Sequence, residues 1–586
     1  MNERWDLSIL YDGFDDGRYA SDLAALSAAA EELTALGERA GSLDGTALCR
    51  EYISVSERIS DLSSRLAIYA NLLACADTSD FAATSNMGRV MSILSATAAP
   101  TARIQRFIAA LDGLDEFISS DPMLSEHRYL LENIKRDSKY LLSDGEETVL
   151  AKMDISGATA WSDLQSSLTS SLKVECLGEE MTLSSVRNLA YDPDPEKRRA
   201  AYEAELSAYE KIKDAIAFSL NSIKLQVISE CELRGYASPL DKALHDSRLS
   251  RATLDALLGA MEEYMPVFHK YLRLKARALG YEGALPWYDL FAPMGKSEGK
   301  YTVDDAREYL LGIFSGFDSE LHGLVKRAFD NAWIDFYPRE GKVCGAFDCG
   351  IPSAKESRIL TNFDGSFSDI VTLAHELGHA FHDSRVFKNS LLNQEYSMPV
   401  AETASTFNEV LVMETAIRGA KTREEKLSLI EGQLTDACQI ICDIYSRYLF
   451  ESAVFARRPE EFLGADTLSE MMLDAQRRAY GDGLDGDLLH KYMWICKSHY
   501  YSGQLSFYNY PYAFGGLFAR GLYAKYKKEG APFVDSYKEM LRRTPMMDAE
   551  DAAHLVDVDL TDKQFWRDGL RMIEEEVDLY EALLSE

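Results

Sequence analysis

The sequence predicts a mainly α-helical protein with one small antiparallel sheet beside a helix that carries His-Glu-x-x-His. Three observations lead there. Long stretches repeat apolar residues at three- and four-residue intervals, as one face of a helix requires. Strand-like segments with β-branched residues and flanking Gly or Pro occur only at GKVCGAF (341–347) and SRILTNF (357–363). Directly after them, TLAHELGHAFHDSRV (372–386) places three histidines within eight positions.

Taken along the chain, the helical stretches are 22–36, 46–76, 102–118, 194–232, 251–278, 303–330, 423–456, 467–480 and 562–584. DLAALSAAAEELTAL (22–36) is typical, built from Ala, Leu and Glu, which form helices readily. DPDP (192–195), EGALP (282–286) and YGDGLDGD (480–487) read as breaks. No fixed-period repeat is present. The strand pair reads either as a structural hairpin or as an edge onto which an extended peptide adds by main-chain hydrogen bonds.

Composition narrows the function classes. The chain has 586 residues, 46% of them apolar and 11% aromatic, with only 15 prolines, as expected of a folded protein of several lobes. Its formal net charge of −33 argues against nucleic-acid partners, because phosphate binding rests on Lys and Arg. It also suits anionic membranes poorly, and no apolar run is long enough to span a bilayer. The opening MNERWDLSILYDGFDD lacks a basic stretch followed by an apolar core, and the nine cysteines follow no framework spacing. A cytoplasmic protein with reduced thiols is expected. Cys438 and Cys442 share a helical face without a second pair to complete a metal site, and are expected to pack in a core.

The metal chemistry starts at Ser366, which stands three residues before Asp369 as in a capping box. Ile370, Leu373, Ala374, Leu377, Ala380 and Phe381 then mark a buried face. One turn apart, His375 and His379 point the same way and can reach one ion, and Glu376 beside them can take a proton from an attacking water. His382 lies about 10 Å along the axis from His375. The motif that uses a third His needs it where this chain has Arg385, so His382 is expected to be structural or to support a ligand from behind. The third ligand is sought on MPVAETASTFNEVLVMETAIRG (398–419), read as one helix with Pro399 near its start. Glu402 is the expected ligand, with Glu409 on the same face orienting a ligand imidazole and Glu395 as an outside candidate. Ala401, Thr403, Ala404 and Ser405 are small enough to let this helix approach the first closely.

A further segment, HYYSGQLSFYNYPYAFGG (499–516), is dense in tyrosine. Such density most often means core packing. A peptidase, however, needs donors for the oxyanion formed when water attacks an amide, and His499, Tyr508 and Tyr510 are the candidates. Tyr508, Tyr510 and Tyr512 cannot be ranked, since they fan out differently on a helix and on a strand. Gly503 would leave the segment room to move.

Together these blocks resemble the oligoendopeptidase F branch of the thimet-oligopeptidase-like zinc peptidases. The resemblance runs through WDLSILY (5–11), DPDPEKRRAAYEA (192–204), WYDLFAP (287–293), IDFYPREGKVCGAF (334–347), LTNFDGSFSDIVTLAHELGHAFH (360–382), VAETASTFNE (400–409) and HYYSGQLSFYNYPYAFG (499–515). It implies a two-lobed helical clamshell with a deep central channel that admits oligopeptides. It also implies one zinc ion per chain on the residues matching His375, His379 and Glu402, with Glu376 as base and His499 and the tyrosines at the transition state. Pro511 departs from the family pattern and is expected to kink or restart a helix. Cys344 stands where a polar or small residue is expected.

The expected function is a zinc-dependent endopeptidase acting on short unstructured peptides, monomeric or homo-oligomeric. Leu360 and Asn362, on the strand that would hold the substrate extended, and Tyr512 are the expected substrate-binding residues. Residues 1–185 are expected to form a helical domain walling the channel, and 186–586 the catalytic domain. A carboxypeptidase or dipeptidase on a related scaffold, or a peptide-binding protein with an inactive zinc site, are the alternative readings.

Overall fold

The computed structural model describes residues 3–295 and 299–585, and the described chain is mainly helical. It divides into two compact units, each assembled from three separated segments. The first comprises Met1–Leu141, Glu298–Val412 and Tyr526–Asp557; the second comprises Leu142–Ser297, Met413–Lys525 and Val558–Glu586. Among the described residues no helix is long and apolar enough to cross a membrane.

The first unit is founded on three long helices, Gly17–Arg39, Gly45–Ala76 and Phe81–Ala109. Asp16, Asp44 and Asp80 cap them by accepting from first-turn N–H groups. Their apolar faces meet around Leu26, Ile53, Leu66 and Ile104, all fully buried. The third helix corrects the expected span 102–118. It begins at Phe81 and ends at Ala109, and Gly113, at φ +73, starts a separate short helix. Its Ala, Ser and Thr content hides the periodicity that Leu-rich helices show.

The sheet of this unit has three strands, not the expected pair. Glu356–Leu360 is central, paired in parallel with Ile334–Asp335 and antiparallel with Phe347–Ile351. GKVCGAF is therefore strand only at Phe347, because Gly341 and Gly345 adopt φ +81 and +85 and turn the chain instead. The edge strand is pinned by Ile351, which joins the three-helix core. A hairpin of the second unit, Lys173–Cys176 with Glu179–Thr182, went unread in the sequence and turns at Leu177 and Gly178, both at positive φ.

Against the sheet lies the motif helix, Phe367–Val386, opened by the expected Ser366–Asp369 capping box. Its contact with the edge strand is close. A Cβ on Gly350 would collide with the Asp383 carboxylate, and Asp348 lies buried against the same group. Burial drives both carboxyls up, Asp383 to about 6; the two share a hydrogen bond, and Tyr396 Oη separately donates to Asp383 Oδ1 at 3.2 Å. On the helix's other side the chain following Met398 approaches closely. A Cβ on Gly378 would stand 2.5 Å from both Ala404 O and Ser405 Cα.

The second unit is built on Lys213–Arg234, Arg251–Ala278 and Lys563–Ser585. The helix Arg423–Cys438 runs on through a π-helical turn, Gln439–Asp443, into Ile444–Arg457. Cys438 and Cys442 are buried there, as expected. Two buried ion pairs, Lys224–Glu451 at 2.7 Å and Lys275–Glu431 at 2.6 Å, tie these helices together.

The contacts of the motif helix can be tested against a glycine on another helix, Val303–Ser315. Gly378→Ala must push backbone from backbone and should cost about 1–3 kcal/mol of stability by denaturant unfolding. Gly312→Ala, which meets nothing within 4 Å, should be neutral or stabilising. The Asp348–Asp383 pair has folded pKa values above the unfolded carboxylate value, so its stabilisation is present at low pH and is lost as pH rises through about 6. Thermal midpoints between pH 5 and 7.5 should therefore fall more steeply for wild type than for Asp348→Asn; parallel curves would contradict the pairing.

Candidate metal centre

On the motif helix His375 and His379 stand one turn apart, their Nε2 atoms 3.1 Å from each other. His375 Nδ1 donates to Glu409 Oε1 at 2.6 Å, which fixes the tautomer and turns the Nε2 lone pair towards His379. Glu402 completes the group, with Oε2 3.4 Å from His375 Nε2 and 3.3 Å from His379 Nε2. These three separations match the edge of a zinc tetrahedron, about 3.3 Å for bonds of about 2.0–2.1 Å. The donor set of two imidazoles and a carboxylate thus fits a zinc ion.

Glu402 reaches this point by a local break. The expected single helix 398–419 is two, Met398–Ala401 and Thr403–Gly419, with Glu402 between them at φ −83 and ψ 7. Thr403 Oγ1 donates to Val400 O at 2.7 Å across the break, and Ser405 Oγ donates to Glu402 Oε2 at 2.8 Å. Farther along, Asn408 Nδ2 donates to Ala374 O at 3.1 Å and fastens the two helices beside His375. The small residues expected to permit close approach include Ala404 and Ser405, which face Gly378. Gly378 itself was missed; a Gly inside a strongly patterned helix is the signal that could have found it.

The electrostatics are those of a cation site. Burial pulls the His375 imidazole down, but the Glu409 hydrogen bond and the surrounding carboxylates outweigh it and hold the pKa at about 9. Glu402 is held at about 2 against its burial, chiefly by His379. Glu376 is only 5% exposed, and one of its carboxylate oxygens lies within 4.8 Å of ring nitrogens of His375 and His379. Burial lifts its carboxyl above the usual range, partly opposed by the two imidazoles. A carboxyl in that state suits a group that takes up and returns a proton. His382 is structural, as expected. Fully buried, it stacks on Tyr396 at 4.1 Å and its Nε2 bonds Thr544 Oγ1 at 2.8 Å.

The tyrosine-rich segment belongs to the second unit. His499 sits in a 3₁₀ turn, Ser498–Tyr501, and lines one cavity with Tyr508, Tyr512, Asp443 and Arg447. Burial, with Arg447 and Lys497 nearby, pushes its pKa to about 3, so the ring is neutral, and Nε2 has no hydrogen-bond partner. Phe507 precedes Tyr508 at φ +55, a strained conformation for an aromatic residue. The following residue anchors it, since Asn509 Nδ2 donates to Glu451 Oε2 at 3.2 Å.

Several expectations need correction here. Tyr510 is 1% exposed and does not line that cavity; its hydroxyl is committed to Ser247 Oγ at 2.9 Å and Ala243 O at 3.2 Å. Pro511, by contrast, does what one of its two expected outcomes required: it restarts a helix rather than kinking one, since it occupies the first turn of Tyr510–Glu529, where a missing N–H costs nothing. Gly503 allows a close approach: a Cβ there would stand 2.6 Å from Ala158 Cβ. In the first unit, Leu360 is fully buried on the central strand and paired on both sides, so it offers no edge to a substrate. Asn362 spends its amide on Val343 O and Gly345 O, at 3.0 and 2.8 Å. The edge strands are the two-residue Ile334–Asp335 and the longer Phe347–Ile351.

Comparison with known proteins agrees with this geometry. The pattern described as "Peptidase family M3" matches residues 188–572, and that described as "Oligopeptidase F" matches 111–173. Oligopeptidase PepF of Bacillus subtilis is 26% identical over 91% of this chain and 81% of its own length. The oligoendopeptidase F homolog of Borreliella burgdorferi is 24% identical over 100% and 98%. Among solved structures, a putative peptidase from Chlamydophila abortus superimposes with a TM-score of 0.83 at 22% identity, covering 98% of each chain. The oligoendopeptidase-F of Enterococcus faecium gives 0.73 at 19%, covering 97% and 99%. With more than half its length matched by the family pattern, and with the histidine pair and buried glutamate in place, the chain belongs to peptidase family M3, the zinc metallo-oligopeptidases.

Proposed function

We propose that the chain is a zinc endopeptidase that hydrolyses internal bonds of short, unstructured oligopeptides. One observation carries the reading: the His375, His379 and Glu402 donor atoms stand at tetrahedral spacing with a buried, proton-accepting Glu376 beside them. One ion per chain, held by these three residues, would supply Lewis-acid polarisation of the scissile carbonyl and acidify the attacking water.

Glu376 takes the proton from that water and returns it to the leaving amine. Glu409 keeps the His375 imidazole aimed. His499, neutral and with a free ring nitrogen, and Tyr508 donate to the developing oxyanion. Tyr512, 41% exposed in the same cavity, contacts the peptide. The edge strand Phe347–Ile351 takes the place first given to Leu360 and Asn362 and aligns the substrate backbone by strand addition. Catalysis is assigned to residues 186–586, and the limit on substrate size to 1–185. Nine thiols without a disulfide suit a reducing, cytoplasmic setting.

Hydrolysis of a quenched fluorogenic oligopeptide, with products weighed by mass spectrometry, tests this. Wild type should cut internally, and Glu376→Gln should retain zinc while losing about 10²–10⁴-fold in kcat. Release of single residues or dipeptides from one end would replace the endopeptidase reading. An equally active Glu376→Gln would remove the proposed base. For Glu409→Gln, zinc affinity should weaken about 10–100-fold, measured by competition with a chromogenic chelator.

A further inference from the structure

The second unit holds another cavity of about 380 Å³ whose lining has more hydrogen-bond donors than it can use. It is distinct from the cavity of His499 and Tyr508, although Gln439 and Asp443 of the π-helical turn line both. Its acidic groups are already engaged. Glu205 accepts from Tyr209 Oη at 2.9 Å and lies 3.3 Å from Arg187 Nε, and Asp443 is held by Arg447. Arg198 is likewise committed, to Asp289 and to Asp192 O, both at 2.7 Å.

Donors remain. Tyr480 Oη, in a side chain that is fully buried, and Gln439 Nε2 have no partner. Neither ring nitrogen of His490, 1% exposed, makes a hydrogen bond, and its closest carboxylate oxygen, on Glu205, is 3.5 Å away. Lys497 stands 4.0 Å from Asp443, too far for a hydrogen bond, in surroundings that disfavour its charge. Buried donors and a cation left in this state cost stability unless an acceptor joins them. Five aromatic side chains, Tyr191, Tyr202, Trp287, Tyr288 and Phe291, supply much of the remaining lining.

We propose that this cavity is a second ligand site, which takes the carboxylate end of an amino acid or short peptide bearing an aromatic side chain. Lys497, Gln439 and Tyr480 receive the carboxylate, and the aromatic lining receives the side chain. Binding there involves no bond cleavage, so the inference stands apart from the peptidase reading.

Isothermal titration calorimetry on the zinc-loaded full chain tests it, with N-acetyl-L-phenylalanine, its carboxamide and sodium chloride as probes. The acid should bind one per chain, and the carboxamide about tenfold more weakly or worse, as loss of a charge-assisted hydrogen bond implies. Lys497→Met should weaken the acid by a similar factor. Tyr480→Phe, which keeps the ring and removes one donor, should weaken it by several-fold and guards against a misfolded lysine variant. Four outcomes would overturn the proposal. They are no binding, equal binding of acid and amide, acid binding untouched in both variants, which would place it on the zinc ion, and displacement by chloride at equal affinity, which would make this a halide site.

Discussion

The metal centre depends on how closely two stretches of backbone approach. Gly378 of the motif helix meets Ala404 O and Ser405 Cα at a distance that no side chain could occupy. Because the backbones touch there, Glu402, two residues before Ala404, falls within 3.4 Å of both imidazoles. Glu409, on the helix that follows, reaches the far nitrogen of His375. Asn408 holds the same contact from its amide side chain. A ligand helix one methyl group farther away would leave two histidines without their third donor.

Charge explains why the arrangement wants a cation. Three carboxylates, Glu376, Glu402 and Glu409, converge on two imidazoles, and the first of them is buried away from solvent. Without an ion, the nearest substitute is a proton on His375, which is what its elevated pKa expresses. A divalent ion bound there would replace that proton and release it. The Asp348–Asp383 pair lies one layer beyond, against the edge strand. Its shared proton spares the region another buried negative charge.

Much of this was legible in the sequence. His375, Glu376 and His379 follow from helical spacing, the capping box from Ser366 and Asp369, and Glu402 and Glu409 from seven-residue spacing on a small-residue background. The break at Glu402 was not legible, because propensity favours one continuous helix through 398–419 and only packing against Gly378 interrupts it. Strand order was also hidden, since an edge and a central strand of five residues look alike in one sequence. That is why Leu360 was preferred to the Phe347–Ile351 edge. The tyrosines illustrate the same limit. Tyr508 and Tyr510 are equivalent as letters, yet a strained turn at Phe507 sends one to the cavity of His499 and the other to Ser247.

The central claim is that one zinc ion sits on two imidazoles and one carboxylate. X-ray absorption at the zinc edge of the loaded protein tests it most directly. The account predicts a first shell of nitrogen and oxygen alone at about 2.0–2.1 Å, with the outer scattering of two imidazoles, and loss of the ordered site in Glu402→Ala. Sulfur at about 2.3 Å, or an imidazole count other than two, would contradict it.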